Sequence, residues 1–245
     1  MPEHELWLTA LFNKYLAGAG NAAMALVGFH TEDPAKPWSN AVTLEIAGAV
    51  VVMLLFAWLR PRLSVDRPGA TQHGFEVIYG FLREQSKEIV GHEGPKHLHV
   101  FASIFFFVLF MSLLGVFPGF ESPTMFPEVP LGCALITFGY YHVAGVRTVG
   151  LGKYLMHFVG PVWWLFFLMI PIEILSHLGR MLSLTVRLFA NLFASESVAL
   201  VFLGLVPVGI PMIFLGEHIF KAFVQAYIFA LLTMVYVAGG VAQEH

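Results

Sequence analysis

Long apolar runs alternate with short polar segments along most of this chain. Residues 41–59, 98–117 and 129–146 are each made of about twenty mostly apolar residues, the length that a helix needs to cross a bilayer. Residues 6–29 mix apolar with polar side chains, so we expect a short surface helix there rather than a membrane span.

The segment 72–91 has a different pattern. Phe75, Ile78, Leu82 and Ile89 recur at helical spacing, and charged residues lie largely on the other side. The segment carries too many charges to cross a membrane. We predict an amphipathic helix on the cytoplasmic membrane surface.

The last third of the chain is apolar over unusually long stretches. The turn-forming segment LVPVGIPM at 205–212 divides it into two helices, predicted at about 162–203 and 212–242 and folded as a hairpin. At 1.5 Å per residue both helices exceed the hydrocarbon thickness of about 30 Å, so they must tilt strongly or lie partly along the membrane plane.

The composition agrees with this pattern. Of the 245 residues 58% are hydrophobic and 12% charged, whereas soluble domains carry about 25% charge. We therefore predict an all-α integral membrane protein with about five membrane helices, a surface amphipathic helix and a terminal tilted hairpin. Residues 1–40 are expected to form an extracytoplasmic N-terminal segment, and residues 41–245 a single membrane domain.

Basic residues indicate the orientation. Arg60 and Arg62 directly follow the first span, Arg147 and Lys153 follow the third, and the intervening loop PGFESPTMFPEVP is acidic. The basic ends belong in the cytoplasm, which places the N-terminus outside and the C-terminus inside. We expect no cleaved signal peptide and no transit peptide, which favours a bacterial inner membrane.

Several kinds of site are not indicated. The formal net charge of −3 gives no basis for nucleic-acid binding, and the lone Cys133 cannot form an internal disulfide. His92, His97 and His99 lie at one membrane edge, but their spacing indicates a metal only weakly. The nucleotide-binding motif G-x-x-x-x-G-K-[ST] does not occur. We expect no cofactor, no metal and no catalytic site of the chain's own.

Charged residues nevertheless interrupt the first long helix. Glu173, Arg180 and Arg187 are seven residues apart and share one stripe, which Asn191 continues. Small residues surround Arg187 at one-turn intervals, which allows another helix to approach closely. They are Ser183, Ala190 and Ala194.

Glu196 falls on the opposite face, nine residues after Arg187. Folding the hairpin about its proline-rich turn places Gln225 level with Arg187, and His218 level with Glu196. A carboxylate and an imidazole can pass protons near neutral pH, whereas an arginine keeps its proton. The pattern predicts a proton path with a permanent cation as its barrier.

Structural roles compete with this interpretation. Glu173, His177 and Lys221 are equally well explained as members of structural pairs, and Glu217 is spaced to act as a counter-charge for Lys221. For Arg187 the alternative is a packing residue bound to backbone carbonyls.

Two segments carry a resemblance to a known family. SLTVRLFANLFASE and VQAYIFALLTMVYV resemble the signature segments of subunit a of the rotary (F-type) ATP synthase membrane sector. IPIEILSHLGRMLS and SLLGVFPGFESPT extend the resemblance to about residues 40–245. It implies a stator subunit that works with a rotating ring of c subunits, b-type peripheral stalk subunits and the rest of the ATP synthase complex.

The resemblance also implies roles for individual residues. Arg187 matches the arginine that faces the ring carboxylates and prevents leakage between two offset half-channels. Asn191, Glu196, His218 and Gln225 match positions of the outer half-channel. Glu173, Arg180 and Ser183 match polar positions nearer the cytoplasmic side.

The sequence departs from the family pattern at three positions, and two other functions are alternatives. Many relatives have Gly at Ala190 and Asn at Ser112, and Lys221 stands where an apolar residue is expected. A haem-bearing anchor of a redox complex would need histidine pairs at matching depth on facing helices. The sequence indicates none among its membrane histidines, which are His142, His157, His177 and His218. A secondary proton or sodium transporter would show an internal repeat, and none is seen.

Overall fold

Helices form almost all of the part of the chain that the computed structural model describes. That part comprises residues 6–27, 35–64, 68–117, 122–152, 154, 166–205 and 210–241, and it contains no strand. Lys153, His157, the start of the first long helix at 162–165, most of the proline-rich turn and residue 242 lie outside it. The helices are α1 (Trp7–Val27), α2 (Asn40–Leu59), α3 (Ala70–Val90), α4 (Gly94–Leu113), α5 (Glu128–Val149), α6 (Phe166–Leu205) and α7 (Ile210–Val241).

Within the described part of the chain, five helical stretches are long and apolar enough to cross a membrane, so the predicted all-α membrane fold is confirmed. They are Asn40–Arg62, Ala70–Val116, Glu128–Val149, Phe166–Ala199 and Met212–Val241. The second stretch joins α3 and α4, whereas the sequence pattern treats α3 as a separate surface helix. Helix α1 is not among the candidate spans.

Local signals set the helix ends a few residues beyond the apolar runs. The Ser39 hydroxyl accepts a hydrogen bond from the Val42 amide at 3.3 Å and caps α2. Gly91 ends α3 with a φ of +79°, which favours glycine, and Pro95 then stands in the first turn of α4. Hydropathy locates the apolar part of a helix, and caps and turns determine where it stops.

Helix α7 lies at the centre of the bundle. Its small and large apolar residues are fully buried at helical spacing, among them Ala222, Ala226, Phe229 and Met234. Helices α3, α4, α5 and α6 all pack against it. The two long helices form the predicted hairpin, because α6 buries Leu184, Leu188 and Leu192 in the same core.

Helix α3 packs against the bundle through its apolar side. Leu82 and Ser86 are fully buried, and Phe75 packs on Phe106 of α4 with ring centroids 5.2 Å apart. Its charged residues are exposed, which confirms the amphipathic pattern; they are Glu76, Arg83, Glu84, Lys87 and Glu88. Ser86 meets the start of α4 and Phe75 its middle, so the two helices run antiparallel.

The N-terminal helix is tied to the start of α2 by side-chain hydrogen bonds. The Asn13 amide accepts from the Trp38 backbone N–H at 3.0 Å and donates to the Trp38 carbonyl at 3.2 Å. The Trp38 indole donates to the Leu16 carbonyl at 2.9 Å. The Leu6 backbone N–H also donates to Asn40 Oδ1 at 3.2 Å, so Trp38 and Asn40 together tie this region to the membrane domain.

Candidate functional site

Arg187 lies on a face of α6 that the protein leaves uncovered. Ser183, Arg187, Ala190, Asn191 and Ala194 are all exposed. The other face of the helix is buried through its leucines at one-turn spacing. Within the described residues Arg187 has no hydrogen bond and no ion pair. The arginine thus stands on a surface of small side chains in the middle of an apolar helix.

Asn191 and Gln225 join the two long helices next to this surface. The Asn191 side-chain amide donates to Oε1 of Gln225 at 3.0 Å. Gln225 is buried, and its Nε2 has no hydrogen-bond acceptor in the described part of the chain. Gln225 therefore meets the residue one turn beyond Arg187, close to the predicted level.

His218 is buried against the last turn of α4. Its Nε2 lies 2.9 Å from the Ser112 carbonyl oxygen. A carbonyl only accepts, so Nε2 carries the hydrogen and Nδ1 is the nitrogen left to gain or lose a proton. Ser122 and Thr124 hydroxyls, 2.7 Å apart, extend this group to the segment before α5. We call Ser112, Ser122, Thr124 and His218 the Ser112 cluster.

Glu196 faces the bundle rather than the Arg187 surface. It is half-buried beside the buried Ser195, and its Oε2 is buried. Its position on the opposite side of α6 from Arg187 follows the predicted nine-residue rotation. Whether it shares a level with His218 stays a prediction.

The predicted pair of Glu217 and Lys221 is present. Lys221 Nζ lies 2.5 Å from Glu217 Oε1, one turn apart on α7. Both side chains are well exposed, at 40% and 37%. A lysine neutralised by its neighbour on an outward surface explains how a charged residue is accommodated at this position.

A second polar group joins α5 to the first part of α6. His177 is buried; its Nδ1 lies 2.6 Å from the Tyr141 hydroxyl and its Nε2 lies 3.2 Å from Glu173 Oε1. Beside it, His142 Nδ1 lies 2.5 Å from the Tyr154 hydroxyl. We call Tyr141, His142, Tyr154, Glu173 and His177 the His177 cluster.

The sequence expectation that no two membrane histidines face each other is wrong. His142 and His177 lie on facing helices with ring centroids 4.9 Å apart in an edge-to-face contact. The expectation failed because the midpoint between α5 and α6 was not used to align the two helices. A haem held by both imidazoles would lie between them, and these rings touch directly.

Arg180 lies over Tyr236 of α7, 5.8 Å from the ring centre, and Tyr236 also packs on Tyr141 at 6.1 Å. The Ser112 cluster meets α7 at His218, and the His177 cluster meets it at Tyr236. Eighteen residues separate these positions, or about 27 Å of helix. Asn191 and Gln225 meet between them, and Arg187 is one turn from Asn191.

Sequence reasoning missed most of these partners. Residues 141 and 177 average to 159, inside the segment that connects α5 to α6. The same midpoint rule that aligned the terminal hairpin would therefore have paired Tyr141 with His177. Ser112 was noted only as a departure from a resemblance, and no sequence signal indicates that its backbone carbonyl contacts His218.

Comparison with known proteins identifies the family. The sequence model of the ATP synthase A chain family matches residues 42–238. The chain belongs to the ATP synthase subunit a family. A relative from Solibacter usitatus, described as ATP synthase subunit a, is 56% identical over 235 residues, covering 96% of this chain and 100% of the relative.

More distant members of the subunit a family also match along most of their length. The Koribacter versatilis protein of the same description is 46% identical over 242 residues, covering 99% of each chain. The Helicobacter hepaticus protein is 37% identical over 223 residues, covering 90% of this chain and 92% of its own. The Koribacter versatilis match spans nearly the whole chain, including the membrane domain.

Proposed function

We propose that this chain is the stationary subunit that conducts protons to and from the rotating c-subunit ring of a bacterial inner-membrane ATP synthase. The observation that carries the proposal is the exposed Arg187 on an uncovered face of an apolar helix. A charge at this depth costs roughly 2.5–3.5 kcal/mol on insertion scales. A partner that covers the face and supplies an anion offsets this cost.

The chemistry of that partner follows from the surface. The small side chains around Arg187 allow a second helix to approach closely. A carboxylate on that helix, about 4 Å from the guanidinium, gains about 4 kcal/mol at an effective dielectric constant of 20. Each ring carboxyl is thereby driven to release its proton as it passes Arg187.

The same guanidinium acts as the barrier to leakage. It keeps its proton at every physiological pH, so it cannot relay one. Its charge also repels a proton moving directly between the two sides of the membrane. Protons must therefore travel on the ring carboxylates.

The two polar clusters serve as the two access routes. Glu196 with the Ser112 cluster forms the route to the outer side, and Asn191 and Gln225 lie at its inner end. The His177 cluster, which includes Glu173, forms the route to the cytoplasm together with Arg180 and Ser183. Because the clusters meet α7 about 27 Å apart, neither route crosses the membrane alone.

The ring and the nucleotide sites belong to other chains in this proposal. One charge moving through 100 mV gains about 2.3 kcal/mol, so several protons are needed for each ATP. A ring with many carboxylates supplies that number, and b-type stalk subunits hold this chain still against it.

The test is ATP-driven proton pumping in membrane vesicles that hold the complete complex. We expect Arg187→Ala to abolish pumping while the complex still assembles. Val186→Ala is the matched control, because Val186 is an exposed neighbour on the same helix, and it should pump normally. Unchanged pumping by assembled Arg187→Ala would make Arg187 a packing residue and defeat the proposal.

A further inference from the structure

The His177 cluster contains a continuous path of polar contacts through one imidazole. Glu173 approaches Nε2 of His177 at 3.2 Å, and the Tyr141 hydroxyl approaches Nδ1 at 2.6 Å. Glu173 and His177 are one turn apart on α6, whereas Tyr141 comes from α5. Both ring nitrogens thus have a partner that can take part in proton exchange.

The partners determine the hydrogen positions. An ionised Glu173 only accepts, so Nε2 of His177 carries a hydrogen. In neutral His177 Nδ1 has no hydrogen, and it accepts from the Tyr141 hydroxyl. If the ring gains a proton, Nδ1 becomes a donor and the hydroxyl turns to accept from it. Both charge states of the ring keep both hydrogen bonds.

The position of the chain is as informative as its chemistry. His177 is buried, while the Glu173 side chain is 29% exposed on the helix that carries Arg187. Arg187 lies fourteen residues beyond Glu173, about 21 Å along the helix. The path of polar contacts therefore starts at Tyr141 on α5, passes through His177 and ends at Glu173, which lies on the same stripe of α6 as Arg187.

Several titratable groups surround His177. On its own helix these are Glu173 and Arg180, and Tyr236 reaches the cluster from α7. Helix α5 contributes two neighbours and the segment after it a third: Tyr141, His142 and Tyr154. Glu173 is the one carboxylate among these groups, and it is the one bonded to the ring.

We infer that His177 is a proton-transfer residue of the cytoplasmic access route, working between Tyr141 and Glu173. This inference rests on the proposed function and adds to it a residue whose role the family resemblance does not supply. An imidazole ordinarily titrates near pH 6.5, which suits a group that must both take and release protons.

The transfer conserves protons at each step. One proton enters from the aqueous side onto Nδ1, and the imidazole becomes a cation with two N–H groups. The Nε2 proton then moves to the Glu173 carboxylate, which leaves a neutral ring with hydrogen on Nδ1 and a neutral Glu173. After Glu173 releases its proton towards the ring of c subunits, the imidazole takes a proton from water at Nε2 and gives its Nδ1 proton back to water. This exchange restores the starting tautomer with no net change in protons.

The decisive variant is His177→Gln in the complete complex. Glutamine can hydrogen-bond with both Glu173 and Tyr141, but it cannot be protonated. We expect the complex to assemble and to pump protons several-fold more slowly, with the pH dependence of pumping near neutrality flattened. His73→Gln is the matched control: it also removes an imidazole, but His73 is exposed on α3 and lies in neither polar cluster, so pumping and its pH profile should be unchanged.

A second variant covers a failure of His177→Gln to assemble. Tyr141→Phe keeps the ring and removes only the hydroxyl, so it should also slow pumping and alter its pH profile. If assembled His177→Gln pumps at the wild-type rate with the wild-type pH profile, the inference is overturned. If only Tyr141→Phe assembles, wild-type pumping and a wild-type pH profile in that variant overturn it. Arg187→Ala in parallel separates the two proposals, since its loss of pumping supports the proposed function even where both cluster variants pump normally.

Discussion

The imidazole of His218 is held by the backbone of α4, and that contact fixes its chemistry. Nε2 donates to the Ser112 carbonyl, so proton exchange must occur at Nδ1. Glutamine places an amide nitrogen near the position of Nε2, whereas asparagine places one near Nδ1. The two amides therefore separate the structural bond from the titratable nitrogen.

We expect His218→Gln to keep the bond to Ser112 and His218→Asn to lose it. The complex with asparagine should be less stable by about 1 kcal/mol, the usual contribution of one hydrogen bond. Both variants should pump protons slowly, since neither amide titrates. Thermal dissociation of the purified complex measures the first effect and dye-quenching in vesicles the second. Equal stability of the two variants would contradict the assigned tautomer.

Asn191 and Gln225 offer a second residue-scale test. Interhelical hydrogen bonds in membranes contribute about 0.6 kcal/mol on average. Asn191→Ala should destabilise the complex by about this amount, because it leaves the buried Gln225 amide without its partner. Gln225→Leu should destabilise the complex less in the Asn191→Ala background than in the wild type. A double-mutant cycle of dissociation temperatures measures this difference. Strict additivity would show that the two amides do not interact.

At the residue scale, spacing indicated the sides of a helix better than it indicated contacts. The separation of nine residues placed Glu196 on the side of α6 opposite Arg187, and the structure agrees, since Arg187 is exposed and Glu196 Oε2 is buried. Spacing could not show that His218 contacts a backbone carbonyl of α4. Every residue has such a carbonyl, and the sequence does not distinguish one from another. It also left Tyr141 unassigned, because a tyrosine in an apolar run looks like packing.

At the scale of helices, the contact of α3 with α4 depends on one glycine. A Cβ at Gly94 would collide with the Ser86 carbonyl oxygen and hydroxyl. Gly94→Ala should therefore push the two helices apart and destabilise the protein by about 1–3 kcal/mol. Gly80→Ala is the control, because a Cβ there meets nothing within 4 Å and alanine favours a helix.

Proteolysis of the complex in detergent can compare Gly94→Ala with Gly80→Ala. Cleavage near residue 91 should become faster in Gly94→Ala and stay the same or become slower in Gly80→Ala. Equal rates would mean that α3 is not held by its contact with α4.

Hydropathy predicted the existence of every described helix and most ends within about four residues. The apolar face of α3 was assigned to the membrane surface, and the structure shows it packed on α4 and α7. An amphipathic pattern shows that one face is covered but does not show by what. Long-range contacts supply that information: Phe75 packs on Phe106 of α4, and Phe81 packs on Tyr227 of α7.

At the scale of the molecule, the orientation decides which cluster faces which side. The basic residues predict that the ends of α2 and α5 lie in the cytoplasm and the end of α4 outside. Because α3 and α4 belong to one candidate span, α3 either crosses the membrane or stays on one side of it. If α3 stays on one side, Leu63 before it and His92 after it face the same compartment.

Cysteine labelling answers both points in one experiment. In a Cys133→Ser background, Leu63, His92 and Phe117 are replaced singly by cysteine; all three are exposed at helix ends. An impermeant maleimide should label positions 63 and 92 from the cytoplasmic side and position 117 from outside. Labelling of 63 and 92 from opposite sides would show that α3 crosses, and would move the His177 cluster to the outer route.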